Sequence, residues 1–388
     1  MPLNAMYHQH THNSFSQIIK IRTIELFPLA TADGQSPEMA LGTMPSRPAL
    51  LLKLTDTDDC YGWGEIWANF PPRAHIHKAE LVEDVVAAKL KDIPFTHPVE
   101  VQNTLRAQLE VYFLHIGQSQ VLEHILAGID IALWDLALRK SNRNFAQHIN
   151  ADINQAPTYA SSINGADLHR LIPAHAELGQ QHFKLKVGFQ PDGGLALLAD
   201  ARSLIPDGGH VMLDANQAWS LDQAINALNT LEEFEPLFAE EPLRADATKS
   251  AWETLAGASS IPLAAGENIY GIDQFIAMGN AGVAYLQPDV CKWGGVSGAL
   301  ELASQLPAGT SLWPHFMGTA VGQLAALAIT AAMGENTVCE MDANENPLRT
   351  ELCGDVLGVA DGFVSLREDA GLVHPPLADC LTGFYWGR

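Results

Sequence analysis

Residues 182–187 read His182-Phe183-Lys184-Leu185-Lys186-Val187. Phe183, Leu185 and Val187 alternate with two lysines. On a strand, residues two apart share one face, so both ammonium groups point the same way out of an apolar frame. Similar short apolar runs flank this one on both sides: Thr158–Ile163 before it, then His210–Leu213, Leu237–Ala239, Ile261–Ala265, Ala284–Gln287, Ser311–Pro314 and Thr337–Cys339. Helix-like segments separate them. Repeated strand–helix units imply a parallel sheet, and eight runs suit a closed α/β barrel better than an open sheet. No GxGxxG or GxxxxGK[ST] motif follows any of the runs, which weakens a nucleotide-binding reading.

In a parallel barrel the chemistry gathers at the C-terminal ends of the strands. The polar residues that close these runs are Lys184 and Lys186, Asp214 and Asn216, Glu240 and Glu241, Glu267 and Asn268, Asp289, His315 and Glu340. From Lys186 onward the steps to Asp214, Glu240, Glu267, Asp289, His315 and Glu340 are 28, 26, 27, 22, 26 and 25 residues, each one barrel unit. A single charged strand end is ordinarily a helix cap. Seven in succession call for a shared purpose, because gathering that much charge needs compensating ions.

Asp214, Glu240 and Glu267 come from three successive strands. Three carboxylates facing one point repel one another. A divalent cation relieves that repulsion, and hard oxygen donors favour Mg²⁺. Glu241, next to Glu240, is expected on the opposite face. Lys184 and Lys186 are expected to depress each other's pKa, which prepares one of them as a general base near neutral pH. Asp289 beside His315 is expected to fix the imidazole tautomer and supply a second acid/base group across the pocket from Lys186.

This ordered set resembles the mandelate racemase group of the enolase superfamily: Lys184-Leu185-Lys186, Asp214-Ala215-Asn216, Glu240-Glu241-Pro242, Gly266-Glu267-Asn268, Gln287-Pro288-Asp289, Pro314-His315 and Glu340, together with the helix Gly128-Ile129-Asp130-Ile131-Ala132-Leu133-Trp134-Asp135. The resemblance covers nearly the whole chain from about Ile18. It implies an α/β fold, a modified (β/α)₇β TIM-type barrel with an α+β capping domain. It implies Mg²⁺ on Asp214, Glu240 and Glu267, with Lys186 as one base assisted by Lys184. His315 with Asp289 is then the opposite base or acid, and Glu340 bonds a substrate carboxylate oxygen. Asn216 and Lys292 become substrate contacts. The pairing of a Lys or His base with Mg²⁺ in such sites is a known pattern. The implied activity is abstraction of the proton beside a carboxylate through a stabilised enediolate. The run Pro314 to Thr319 and the segment Glu340 to Arg349 resemble acid-sugar dehydratases and galactarolactone cycloisomerases, so a sugar acid or its lactone is the expected substrate. Dehydration leads, with lactone cycloisomerisation and racemisation or epimerisation as alternatives.

The expected organisation is a flexible tail over 1–16, the cap over 17–150, the barrel over 151–345, and a segment over 346–388 that returns to the cap. A Pro/Gly-rich stretch from Pro28 to Pro48 reads as a lid or binding loop. Arg47, Arg73, His75 and His77 lie on or near cap segments, where they are candidates for distal hydroxyls or a second carboxylate. The 388 residues carry a formal net charge of −23, which argues against nucleic acid and anionic membrane as partners. Any acidic substrate then needs a local positive focus. Five scattered cysteines with no Cys-x-x-Cys pair read as reduced thiols in a cytoplasmic protein. Family likeness suggests a homo-oligomer. A non-catalytic binding protein on the same barrel and a metal-dependent aldolase or hydrolase on a plain eight-fold barrel are the rival readings.

Overall fold

The cap begins with an antiparallel sheet whose strands are set by apolar runs. The computed structural model describes residues 15–31, 38–39, 42–43, 46–91, 93–188, 194–334 and 336–386. Strand β1 (Ile19–Ala30) pairs with β2 (Pro48–Asp56), which pairs with β3 (Tyr61–Ile66). Helices α1 (Ala74–Leu81), α2 (Pro98–His115) and α3 (Ser119–Lys140) follow. The tail expected over 1–16 lies outside the described residues as far as residue 14. Phe15 is buried, with its ring 4.5 Å from that of His148. The central part of the expected lid, residues 32–37, 40–41 and 44–45, likewise lies outside the described residues.

Sequence dictates how tightly α3 lies on the cap sheet. A Cβ at Gly64 would stand 2.1 Å from the carbonyl oxygen of Gly128, and one at Gly62 would stand 2.1 Å from that of Ala132. Only glycine on the strand lets the two backbones approach so closely.

Eight barrel strands follow at the expected places: β4 (Gln155–Ile163), β5 (His182–Lys186), β6 (His210–Asp214), β7 (Ala239–Glu240), β8 (Leu263–Ala265), β9 (Val283–Leu286), β10 (Ser311–Leu312) and β11 (Cys339–Asp342). Between them run seven helices, α4 (Leu168–Glu177), α5 (Leu195–Leu204), α6 (Leu221–Leu231), α7 (Lys249–Ala258), α8 (Ile272–Asn280), α9 (Gly295–Ser304) and α10 (Ala320–Met333). Parallel ladders connect β10 through β4 in order, and β11 pairs with β4 in register Glu340 to Tyr159. No ladder joins β10 to β11 among the described residues. That seam is crossed by the Trp313 Nε1 donation to the Asn336 carbonyl at 2.8 Å and by the Phe316 N–H donation to Glu340 Oε2 at 3.2 Å. The result is a capped (β/α)₇β barrel. Its floor is a layer of Tyr159, Met212, Phe238, Ala264, Trp313 and Val338.

Three buried carboxylates fasten cap to barrel and C-terminal segment. Asp130 on α3 accepts from the Ser297 N–H (2.9 Å) and Oγ (2.6 Å) on α9. Asp135 accepts from the backbone N–H groups of Trp63, Leu372 and Val373. Glu65 on β3 accepts from the Thr319 N–H and Oγ1 and from the Gly322 N–H at the start of α10. A carboxylate there satisfies helix-end N–H groups that have no partner within the helix.

Burial pushes the Glu65 carboxyl up to about 7, against the opposing pull of the Thr319 and Gly322 hydrogen bonds. A folded pKa above the unfolded value means that this group's stabilising contribution is complete below about 4.5 and is lost as pH rises through about 7. Wild-type stability is therefore expected to fall between pH 5 and pH 8 more steeply than that of Glu65→Gln, by on the order of 2–3 kcal/mol. Urea titrations at the two pH values measure this, and equal slopes for both proteins would reject it. No helix of the described residues is long and apolar enough to cross a membrane.

Candidate active site

The strand ends bring all ten sequence-predicted residues to one mouth of the barrel. Register does most of this: Lys186 lies opposite Asp214 across β5 and β6, and Asp214 lies opposite Glu240 across β6 and β7. Glu267 follows β8 after Gly266, where a Cβ would stand 2.5 Å from the backbone of Gln287. Glycine at 266 thus lets the end of β8 close onto the next strand. Asp289 and His315 form a parallel bridge beyond β9 and β10.

The side chains pair by charge. Lys184, 1% exposed, donates to Glu240 Oε2 at 2.5 Å and lies 2.6 Å from Glu340 Oε1. Lys186 binds Asp214 and reaches Asn216 Oδ1 at 2.9 Å. Lys292 reaches Glu267 Oε2 at 3.0 Å. His315 shares a hydrogen bond through Nδ1 with Asp289 Oδ2 at 2.9 Å, and its Nε2 stands 3.3 Å from Glu267 and 3.7 Å from Glu340. Asp289 is itself fixed by the N–H groups of Cys291 and Lys292. Glu340 also accepts from Ser161 Oγ at 2.5 Å.

Two expectations are corrected here. Neither lysine is depressed overall, although Lys184 does pull Lys186 down. Burial does pull Lys184 and Lys186 down, but Glu240 and Glu340 around the first and Asp214 beside the second outweigh it, and both pKa values are raised. An ammonium with its own carboxylate counts more than a like charge on the same strand face. Glu241, in turn, does not leave the site. Strand β7 ends at Glu240, and Glu241 takes φ 41°, so strict alternation no longer holds. Its carboxylate lines the cavity and accepts from Asn268 Nδ2 at 3.0 Å. The cavity, about 200 Å³, also exposes Lys186, Glu267, Lys292, His315 and Glu340, with Trp67, Asn69 and Phe70 from the cap as its roof.

Burial, with opposition from Lys184 and reinforcement from Asp214 and Glu340, pushes Glu240 up to about 7. Burial and then Glu267 hold Glu241 well above the usual carboxylate range. His315 is drawn down by burial but held up to about 9 by Glu267, Glu340 and Asp289. Glu267 goes the other way: Lys292 and His315 overcome burial and hold it well below its usual value.

Among the described residues no three His, Cys, Asp or Glu side chains close on a single point. The expected meeting of Asp214, Glu240 and Glu267 is replaced by three separate pairs, each carboxylate turned onto an ammonium. The donor set still suits a hard divalent cation. Among the described residues, Asp214, Glu240, Glu267, Asp289 and Glu340 pair with Lys184, Lys186, Lys292 and His315, while Glu241 bonds Asn268. With the imidazole protonated and all six carboxylates ionised, two negative charges would remain, the charge of one divalent ion, and the raised pKa values of Glu240 and Glu241 are where that excess shows.

Residues beyond the ten also shape the site. Gln287 Nε2 donates to Glu240 Oε2 at 2.7 Å. The ring of Trp67 has two ammonium groups over it, that of Lys292 at 4.8 Å from its centroid and that of Lys78 at 4.6 Å. Gln287 sits in the same quoted run as Asp289, a signal within reach. Nothing in the sequence around Trp67 marks it. None of Arg47, Arg73, His75 and His77 is among the residues that line the cavity, and Arg47 instead bonds Asp342. Arg73 is exposed, His75 is buried against Trp386, and His77 bonds Gln118.

Residues 24–149 match the family model described as mandelate racemase / muconate lactonizing enzyme, N-terminal domain, and residues 167–374 match that described as enolase C-terminal domain-like. The chain belongs to this family of the enolase superfamily. A mandelate racemase/muconate lactonizing enzyme structure from Bordetella bronchiseptica RB50 is 33% identical, covers 94% of this chain and 99% of its own, and superposes with a TM-score of 0.87. The D-galactarolactone cycloisomerase of Agrobacterium fabrum is 27% identical over 87% of this chain and 91% of its own length. The L-talarate/galactarate dehydratase of Salmonella typhimurium is 30% identical over about half of each chain, 52%. As a member of the enolase superfamily, the chain is an enzyme of the lyase or isomerase class.

Proposed function

We propose that this enzyme removes the proton beside the carboxylate of a sugar acid and expels the oxygen one carbon further on, so that water is lost and a 2-keto-3-deoxy acid forms. One observation carries the reading: a lysine on β5 and a histidine beyond β10, backed by Asp289, face one cavity from well-separated parts of the ring. Asp214, Glu240 and Glu267 are the residues that would hold Mg²⁺. When bound, it supplies positive charge for the oxygens of the enediolate.

The steps by this chain's residues are as follows. Lys186 Nζ, oriented by Asn216, takes the α-proton as the neutral amine, a form that would become available once Asp214, the carboxylate that raises its pKa, turns to hold Mg²⁺, and the electron pair moves onto the carboxylate. Lys184 lies beside that carboxylate as a buried positive charge, and Glu340 would bond one of its oxygens in the protonated form. When the pair returns, the bond to the β-oxygen breaks, and His315, protonated at neutral pH and oriented by Asp289, gives that oxygen its proton. The enol product then ketonises. Lys292 and Trp67 wall the cavity and orient the chain of hydroxyls.

A second reading keeps the same first step. If the β-oxygen belongs to a lactone ring, its loss opens the ring and the product is an isomer of the substrate. The long alignment with the galactarolactone cycloisomerase favours this version. A panel of sugar acids and lactones in D₂O with Mg²⁺ separates the outcomes. Dehydration gives a keto acid lighter by one water, ring opening gives a keto acid of unchanged mass, and racemisation gives deuterium without a keto acid. No deuterium and no keto acid from any member would sink the proposal. The same reading assigns a small carboxylate as partner, a cytoplasmic location in keeping with five unpaired cysteines, and a homo-oligomeric assembly.

A further inference from the structure

Two arginines meet over one carboxylate at the end of β11. Arg47, from the start of β2 in the cap, donates through Nη1 to Asp342 Oδ2 at 2.7 Å. Arg349 brings its Nη1 to 3.5 Å from the same oxygen and donates through Nη2 to the Asn344 carbonyl at 2.7 Å. Asp342 Oδ1 is taken by the N–H and Nδ2 of Asn344. Among the described residues the cluster therefore holds two positive charges against one negative. Among the described residues, Arg47 Nε and Nη2 and Arg349 Nη1 are buried without a hydrogen-bond partner. Arg349 is 8% exposed and Asp342 4%. An uncompensated buried guanidinium is costly, and in a chain of net charge −23 it stands out as a local positive focus.

Its position relative to the reacting end is fixed by the strand. Asp342 and Glu340 lie two residues apart on β11 and so share a face, about 6–7 Å from one to the other. The two carboxyl carbons of an extended six-carbon diacid are separated by five carbon–carbon bonds, a span of about 6 Å. Asn344 also ties the cluster to the cavity wall, donating from Nδ2 to the carbonyl of Ser162, which lines the cavity.

We propose that Arg47 and Arg349 form a subsite for a second carboxylate, so that the enzyme selects sugar diacids, or lactones that keep one free distal carboxylate, over monoacids. This rests on the function proposed above and adds the substrate class. A carboxylate presented to paired guanidinium groups makes charge-assisted hydrogen bonds that a terminal hydroxymethyl group cannot replace.

The test compares galactarate and its lactone with galactonate, first on the wild type and then on Arg47→Gln and Arg349→Met. The wild type is expected to prefer the diacid by at least about tenfold in kcat/KM, and each variant to lower the diacid-to-monoacid ratio by about 10- to 100-fold. Arg47→Lys, which keeps charge but not the fork, is expected to restore part of the ratio. An equal fall for diacid and monoacid would make the arginines a mere latch between cap and barrel and overturn the proposal, as would a wild type that favours monoacids. If circular dichroism shows a variant unfolded, the wild-type preference decides alone. Deuterium uptake from monoacids only would sink the subsite and leave the proposed function standing. No uptake from any acid sugar would remove both.

Discussion

Lys186→Ala is expected to lose α-proton exchange from one face of the substrate by about 10²–10⁴-fold, and His315→Ala to lose it from the other by a similar factor. The two groups stand on β5 and beyond β10 and reach the same cavity with different partners. Lys186 has Asp214 and Asn216, whereas His315 has Asp289 behind it and Glu267 and Glu340 before it. A substrate carboxylate held between Lys184 and Glu340 presents one face of its α-carbon to each. Epimeric substrates therefore sort the variants. With the proton toward Lys186, Lys186→Ala is expected to be silent while His315→Ala retains deuterium exchange but forms keto acid slowly, because the leaving oxygen has lost its acid. With the opposite epimer the two variants are expected to exchange places. Deuterium incorporation followed by NMR, separately from keto-acid formation, measures both steps. Equal exchange by wild type and both variants would remove these residues from the mechanism.

The barrel was legible because its strands are short apolar runs, and polar residues close seven of them at steps of 22 to 28 residues. The signal is local, so a single sequence carries it. The cap-to-barrel joints are of another kind. Glu65 finds Thr319, 254 residues away, and Asp135 finds Leu372, 237 away. A buried carboxylate satisfied by distant backbone N–H groups leaves no periodicity to detect. The site shows the same division. Which residues gather was readable from strand ends. How they pair was not, because it depends on distances between side chains. Lys184 and Lys186 share a face as the alternation requires, yet Glu240, Glu340 and Asp214 decide their protonation. Glu241 escaped the reading because the strand stops one residue earlier than alternation assumes. Arg349 was hidden in a segment whose backbone has to fold over Asp342 before its guanidinium meets that of Arg47.

Lys184→Met tests the charge balance on which the site depends. Lys184 is fully enclosed, and its ammonium is the counter-ion of both Glu240 and Glu340. Methionine keeps the length and apolar stem of the side chain, so the packing around Tyr159 and Phe183 is preserved while the charge is removed. Among the described residues, two carboxylates then remain buried with the Gln287 amide, Ser161 hydroxyl and Phe316 N–H bonding to them and His315 3.7 Å from Glu340. Breaking a buried ion pair by removing one partner typically costs about 3–5 kcal/mol, and that loss is expected in urea titrations without divalent ions. It should be smaller at pH 5 than at pH 8, since the stranded carboxyls can take up protons as pH falls. Lys184→Met/Glu340→Gln, with one charge fewer to strand, is expected to regain a part of it, and the double-mutant cycle gives the coupling of the pair. Millimolar Mg²⁺ should raise the stability of Lys184→Met, and of the wild type, through binding to the folded state. A Lys184→Met protein as stable as the wild type at pH 8, and indifferent to Mg²⁺, would mean that the carboxylates of the barrel mouth do not need a cation, and the enediolate chemistry built on one would fall with it.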